Sequence, residues 1–280
     1  MDNRKHGTEG PNGPGGASSE PPRGEGGPIR VDRSPPGFSA SAVAPLPASE
    51  VHRIPVSGMR AAIARRMHQS QREVPLFHVE REILMDRALE LCARLRDEGH
   101  QISCGHIFLK AAADALVAQP ELNARFVGDA IEVLRRIHLA IAIALPEGLI
   151  FPVLHDAPGL NLLQIAERTA NLRSQAEAKT LASEDLAGAS FTVSNLGKRG
   201  VDRFTTVVHP PQAASLALGM VAHRPVVEKN AVRAAATVHA TLSCDHRAVD
   251  GQQAAAYLEA LRLLLEDPEK LLTGIHLGET

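Results

Sequence analysis

Residues 241–251 read Thr-Leu-Ser-Cys-Asp-His-Arg-Ala-Val-Asp-Gly, and the rest of the chain is organised around them. An apolar, β-branched run over residues 234–242 leads into this stretch, and a helical pattern over residues 252–265 follows it. The pattern places His246 at the end of a strand, in a polar turn, with Asp250 four residues later. A strand end holds the backbone rigidly and a turn exposes the side chain to solvent. Both properties suit a side chain that transfers protons. His-x-x-x-Asp-Gly alone is a weak motif, and a structural histidine in a capped turn is the alternative.

The composition is that of a globular chain close to neutrality. Its 280 residues are 44% hydrophobic and carry a formal net charge of −2. Nucleic-acid binding needs clustered Lys and Arg with interleaved aromatics, whereas this chain has no Trp and one Tyr. The chain opens without an apolar stretch that would serve as a signal sequence, and no apolar run is long enough to span a membrane. We therefore predict no nucleic-acid or membrane association and a cytoplasmic location.

The cysteines point to neither disulfides nor a metal. Cys92, Cys104 and Cys244 are odd in number, scattered in spacing and without a Cys-x-x-Cys pair, which argues against a disulfide framework and a zinc cluster. Cys244 and His246 are two residues apart on a predicted strand and are candidate metal ligands. Two ligands with no third nearby are too few, so we predict no metal site.

Two regions differ sharply in composition. Residues 1–50 contain nine Gly and nine Pro, with Phe38 as the one aromatic residue, and such a segment cannot bury enough surface to fold. We predict a disordered tail or linker over residues 1–50 and one catalytic domain over residues 51–280, a length that accommodates a full hydrophobic core.

The apolar periodicity beyond residue 57 alternates between helix and strand. It predicts helices over residues 57–74, 85–96, 103–117, 161–179, 251–265 and 268–272, with a short helical turn near residues 183–186. It predicts strands over residues 76–84, 137–145, 149–154, 190–194, 213–221 and 234–242, and a hairpin over 126–133 with a Gly-Asp turn. No regular βαβ repetition, nucleotide-binding glycine motif or Gly-x-Ser-x-Gly elbow occurs. The pattern favours an α+β fold in which helices cover a mixed sheet.

Seven segments between residues 54 and 272 resemble, in order, the catalytic core of the 2-oxo acid dehydrogenase acyltransferases, the dihydrolipoamide acyltransferases. They are Met59-Arg60-x-x-Ile63-Ala64-Arg65-Arg66-Met67, Val74-Pro75-x-Phe77, Pro120-Glu121-Leu122-Asn123-Ala124, Gly148-Leu149-Ile150-x-Pro152-Val153, Phe191-Thr192-Val193-Ser194-Asn195-Leu196-Gly197, Pro210-Pro211-Gln212-Ala213 and Asp245-His246-Arg247-Ala248-Val249-Asp250-Gly251. Each segment alone is weak, but seven in register are specific. The resemblance implies a chloramphenicol-acetyltransferase-like α+β fold and CoA-dependent acyl transfer.

The resemblance also assigns roles to matched positions. It implies that His246 is the general base, that Ser194 is the oxyanion donor and that Asp250 organises the histidine loop. A turn-capping serine is the alternative for Ser194. For Asp250 we expect a buried arginine partner, from the helix that carries Arg60, Arg65 and Arg66. The basic residues Lys198 and Arg199 are candidates for contacting the phosphates of coenzyme A, the acyl-CoA cosubstrate, although exposed basic residues are more often solvated loop.

Three further expectations concern the assembly of the chain, the lipoyl group and the positions that differ from the family. The resemblance implies a homotrimer, or a multiple of three, whose active site lies between subunits. The first 50 residues contain a single lysine, Lys5, in a stretch unlike a lipoyl hairpin, so we expect no lipoyl group on this chain. Leu76 and the pair Gly105-His106 depart from the residues common in the family, which indicates a reworked pocket or trimer contact.

These features leave three hypotheses for function. The chain acts on a lipoyl domain supplied in trans, or it is a stand-alone O-acyltransferase that uses a small-molecule hydroxyl in a biosynthetic pathway, or it is a non-catalytic assembly scaffold. Retention of His246, Asp250 and Ser194 together disfavours the scaffold. The sequence therefore predicts a CoA-dependent acyltransferase and leaves open whether the acceptor is a dihydrolipoyl thiol or a hydroxyl.

Overall fold

The computed structural model of the chain describes residues 51–146, 148–272 and Gly274, so the tail predicted over residues 1–50 lies outside the described residues. The described α-helices are α1 (Gly58–Glu73), α2 (Asp86–Asp97), α3 (Cys104–Ala118), α4 (Leu162–Ala178) and α5 (Gly251–Glu266). Each one agrees closely with a range predicted from apolar periodicity. Asn161 caps α4 as predicted, since its side-chain oxygen accepts a 2.9 Å hydrogen bond from the Gln164 amide.

The described part of the chain contains eleven β-strands, numbered here in chain order. They are β1 (Leu76–Leu84), β2 (Ala124–Val127), β3 (Ala130–Val133), β4 (Leu139–Ile141), β5 (Ile143–Leu145), β6 (Gly148–Ile150), β7 (Val153–Leu154), β8 (Phe191–Asn195), β9 (Ala214–Leu218), β10 (Ala222–Glu228) and β11 (Ala231–Asp245). Seven of them form one sheet in the order β1-β11-β9-β8-β4-β7, with β10 also paired to β11. Because β4–β8 and β8–β9 are parallel and the other pairs antiparallel, the sheet is mixed. The predicted α+β architecture is confirmed.

Two predicted strands are wrong in their extent. The ranges 137–145 and 149–154 each divide in two, so that β4 and β7 join the main sheet while β5 and β6 pair with each other in a separate two-stranded sheet. One strand was not predicted at all, since β10 carries Pro225 and is mostly exposed. It forms a hairpin with β11 through Lys229 and Asn230, which both adopt positive φ.

The two faces of the main sheet differ in chemistry because successive side chains of a strand point to opposite faces. Apolar residues at alternate positions, among them Val193, Leu216 and Leu242, are buried in the core that the helices share. A row of polar residues crosses four strands in register between these positions: Thr192 of β8, Ser215 of β9, Ser243 of β11 and His78 of β1. Ser194 lies two residues beyond Thr192 and therefore belongs to the polar face.

The helices in the described ranges are too short or too polar to cross a lipid bilayer.

Candidate active site

His246 follows β11 directly, as the sequence predicted. Its backbone N–H donates a 3.0 Å hydrogen bond to the carbonyl of Pro75, which ties the turn to the start of β1. The imidazole packs against the ring of Phe77 with centroids 4.4 Å apart. This side chain is exposed and its ring nitrogens have no hydrogen bond to any other described residue. The backbone is thus fixed, while the nitrogens that exchange protons are open to a ligand.

The residues on either side of His246 form an ion pair that sequence reasoning missed. Asp245 is 2% exposed, and its carboxylate accepts hydrogen bonds from Arg247 Nε at 3.0 Å, from Arg247 Nη2 at 2.7 Å and from the Arg247 backbone at 3.0 Å. The Arg247 guanidinium also lies over the ring of Phe126, 4.5 Å from its centroid. Such a two-pronged pair fixes geometry as well as charge. Its hydrogen bond to Asp245 raises the pKa of Arg247, so the guanidinium stays charged.

Asp250 is the N-cap of α5 rather than an arginine partner. Its carboxylate accepts a 2.9 Å hydrogen bond from the Gln253 backbone, and the Gln253 side chain accepts a 2.8 Å bond from the Asp250 amide. The expected ion pair with an arginine of α1 is wrong within this chain: Asp250 is exposed and pairs with no arginine of the described part, and Arg60, Arg65 and Arg66 are exposed on α1. The capping box instead fixes the start of the helix that follows the His246 turn.

Ser194 has a hydroxyl that is available to a ligand. It is the penultimate residue of β8, is 9% exposed, and its Oγ makes no hydrogen bond to another described residue. By contrast, Thr192 on the same face donates a 2.6 Å bond to Gln212 Oε1. At the end of the strand the Asn195 side chain accepts a 2.9 Å hydrogen bond from the Gly197 amide. A Cβ on Gly197 would lie 2.7 Å from the carbonyl oxygen of Gly219, so glycine is required for this turn.

Basic residues surround the end of β8. Lys198 and Arg199 are exposed on the 3₁₀ turn Gly197–Arg199. The pKa of His106, near the start of α3, is lowered by burial and further by the positive charges of Lys198 and Arg173. The turn after Ser194 is therefore a cationic region, which suits an anionic ligand.

Ser194 and His246 lie at opposite ends of the sheet. In the strand register Ser194 is opposite Ala217, which is opposite Thr241, five residues before His246. With about 3.3 Å per residue along a strand and about 4.8 Å between strands, their Cα atoms are roughly 20 Å apart. The structure therefore does not bring the two sequence-predicted catalytic residues together within one chain.

Cys244 and His246, the two candidate metal ligands of the sequence, differ in burial. Cys244 is fully buried in the core, and burial raises the pKa of its thiol to about 12, which makes it a poor nucleophile or metal ligand. No cluster of three or more potential metal-ligating His, Cys, Asp or Glu side chains occurs among the residues that the structure describes.

The family model described as 2-oxoacid dehydrogenases acyltransferase (catalytic domain) matches residues 48–273, and the chain belongs to this family. The sequence-based family prediction is thereby confirmed. The chain is 34% identical over 245 residues to the dihydrolipoyllysine-residue acetyltransferase component of the Schizosaccharomyces pombe mitochondrial pyruvate dehydrogenase complex. That match covers 85% of this chain and 50% of the relative, so the chain spans about half the length of the protein that it matches.

Two solved structures superpose well on the chain. The cubic core of the pyruvate dehydrogenase multienzyme complex has a TM-score of 0.76 at 28% identity, covering 82% of this chain and 100% of that one. The Azotobacter vinelandii dihydrolipoamide acetyltransferase has a TM-score of 0.76 at 27% identity over the same shares of the two chains. That enzyme was studied for the catalytic roles of a serine, a histidine 52 residues later and an asparagine four residues beyond it. Ser194, His246 and Asp250 have the same two spacings.

Proposed function

We propose that this chain transfers an acetyl or other short acyl group between coenzyme A and the thiol of a dihydrolipoyl group. In this scheme His246 is the general base, Ser194 is the oxyanion donor and Asp250 holds the start of α5 beside the histidine turn. Family membership supports the proposal, as does the spacing shared with the Azotobacter enzyme.

The chemistry follows from the two open polar groups. A thiol is mostly protonated at neutral pH and attacks a thioester poorly until it loses its proton. His246 accepts this proton while the acceptor sulfur bonds to the thioester carbonyl carbon of acyl-CoA. Ser194 donates a hydrogen bond to the oxyanion of the resulting tetrahedral species. When the bond to the CoA sulfur breaks, the His246 imidazolium returns its proton to the departing thiolate. CoA therefore leaves as a thiol and the acceptor leaves as an acyl thioester.

The observation that carries the proposal is the separation of Ser194 from His246. Each has a polar atom with no hydrogen-bond partner among the described residues, and the two residues lie roughly 20 Å apart at opposite ends of the strands. One chain can therefore supply either half of a site, and a complete site forms when the Ser194 end of one chain meets the His246 end of another. Head-to-tail contacts of this kind form a closed ring when the rotation between neighbouring chains closes. We infer a homotrimer or a multiple of three, because the related cubic core has threefold axes.

The cationic turn after Ser194 supplies a place for the phosphates of CoA. Lys198 and Arg199 are exposed there, a few residues from the proposed oxyanion donor. Their positive charge would attract the phosphates and steer the thioester end toward Ser194. CoA is a substrate in this scheme.

The experiment is an acyl-transfer assay with a choice of acceptors. Purified full-length chain receives acetyl-CoA with dihydrolipoamide, with a panel of alcohols or with no acceptor. Free CoA is separated by chromatography, since the dithiol acceptor itself reacts with thiol reagents. We expect release of CoA that depends on dihydrolipoamide. His246→Ala should slow it at least about a hundredfold. His223→Ala, which alters an exposed histidine of β10, should leave the rate unchanged.

Other outcomes would replace the proposal. Release with an alcohol and none with the dithiol would favour a stand-alone O-acyltransferase. No release with any acceptor from a correctly assembled protein would favour an assembly scaffold. Full activity of His246→Ala would refute the assigned base.

A further inference from the structure

Two of the three cysteines, scattered in the sequence, are neighbours in the fold. Cys92 lies on α2 and Cys104 is the first residue of α3, twelve positions later. Their Sγ atoms are 3.8 Å apart, and both thiols are free. The amphipathic pattern of α2 explains this arrangement, because the buried face that carries Leu91 and Leu95 also turns Cys92 toward α3.

The two thiols differ in access and in charge. Cys92 is 2% exposed, whereas Cys104 is partly exposed. A hydrogen bond from the Cys92 thiol holds the pKa of Cys104 below its usual range, and a backbone N–H and the Arg96 guanidinium act in the same direction. The same contact raises the pKa of Cys92. A partly exposed thiol at a helix N-terminus beside an arginine is the setting in which cysteines react readily, and a buried thiol beside it can act as the resolving group.

We propose that Cys92 and Cys104 form a thiol–disulfide exchange site that takes small-molecule disulfides of the oxidised-glutathione class. The exchange uses neither Ser194 nor His246, so it does not depend on the proposed function.

The exchange takes place in two balanced steps. The Cys104 thiolate attacks one sulfur of the small disulfide, a bond forms between them, and the other half leaves as a thiolate. Cys92 then gives its proton to that thiolate, directly or through water, and its sulfur attacks Cys104 Sγ. The Cys92–Cys104 bond forms as the second small thiolate leaves and is protonated from solvent. The small disulfide is reduced to two thiols and the protein dithiol is oxidised, so no further oxidant is needed.

The geometry allows the second step. A disulfide bond is about 2.0 Å long, so the sulfurs need to approach by about 1.8 Å from their present separation. Cys104 is the first residue of α3, and we infer that rotation of its side chain closes this distance. Cys244 is excluded, because it is fully buried and its pKa is raised to about 12.

The test is a mass-mapping experiment on the reduced full-length protein. The chain is incubated with oxidised glutathione at about pH 8, quenched with acid, alkylated after unfolding and digested. We expect a peptide pair joined by Cys92–Cys104, the loss of two alkylatable thiols and a Cys244 that is fully alkylated. Cys92→Ala should halt the reaction at one glutathione on Cys104, and Cys104→Ala should leave Cys92 unmodified.

Three results would overturn the proposal. They are a stable mixed disulfide on Cys104 of the unaltered protein, an absence of any reaction at Cys104, and modification of Cys244 at the same rate as Cys104. The first result would mean that Cys92 cannot reach Cys104. Either of the other two would mean that Cys104 is no more reactive than an ordinary cysteine. The measurement on the unaltered protein decides the matter even if a variant folds poorly.

Discussion

Substitution of Ser194 by alanine separates transition-state binding from folding. The Ser194 hydroxyl makes no hydrogen bond within the described chain, so its removal leaves no buried partner unsatisfied. The free energy of unfolding should therefore change by less than about 0.5 kcal/mol. An oxyanion donor contributes about 2.7–4 kcal/mol, so kcat should fall by about 10²–10³ while KM stays close to its original value.

The assay is steady-state release of CoA from acetyl-CoA with dihydrolipoamide, alongside urea unfolding of the same preparations. Thr192→Val is the matched control, two residues away on the same face of β8. It removes the hydroxyl that donates to Gln212 at 2.6 Å and leaves that buried oxygen without this donor, which costs about 1–3 kcal/mol of stability. If Ser194→Ala raised KM with kcat unchanged, or lowered stability as much as the control, its assignment as oxyanion donor would be wrong.

The remaining predictions concern stability around the site and its pH dependence. Asp245→Asn should lower the unfolding free energy by about 1–3 kcal/mol and reduce kcat, because it weakens the pair with Arg247 that flanks the base; a variant with unchanged melting and turnover would contradict this. Asp250→Ala should cost about 1 kcal/mol in urea unfolding, whereas Asp250→Asn retains a good N-cap and should cost a few tenths, and equal losses would argue against capping. Lowering the pH from about 7 to about 5.5 should lower the melting temperature. Burial lowers the pKa of three histidines in the folded protein, so over this pH range the unfolded chain binds more protons than the folded one. They are His106, His138 and His209. A melting temperature that rose over this range would refute that linkage.

Local patterns predicted the elements well, since helix periodicity and capping act over a few residues. The limits of β1 and the N-cap role of Asn161 are examples in which spacing alone sufficed. The division of residues 137–145 between two sheets was not predictable in this way. Its two halves differ in their pairing partners, β7 and β8 for one and β6 for the other, and no local pattern encodes a partner.

The place of the candidate residues in the fold was predicted in part, but their contacts were not, and their roles stay predictions. The position of His246 at a strand end follows from an apolar run that stops at a polar turn. The role of its neighbours does not, because the His–Asp spacing drew attention to Asp250 while the buried carboxylate is Asp245. A signal was present, since an acidic and a basic residue on either side of one histidine can pair around it. The approach of Cys92 to Cys104 depends on how α2 packs against α3, which the spacing of twelve residues does not reveal.

The central claim is that Ser194 and His246 work together across a boundary between chains. Complementation of two inactive variants tests it directly: Ser194→Ala and His246→Ala chains are co-expressed with different affinity tags, and oligomers that carry both tags are isolated. In a head-to-tail trimer every mixed ring has one interface that joins an intact Ser194 to an intact His246. The mixed trimers should therefore show about one third of the unaltered specific activity, although each variant alone is nearly inactive. Mixed trimers no more active than the separate variants would contradict the shared site.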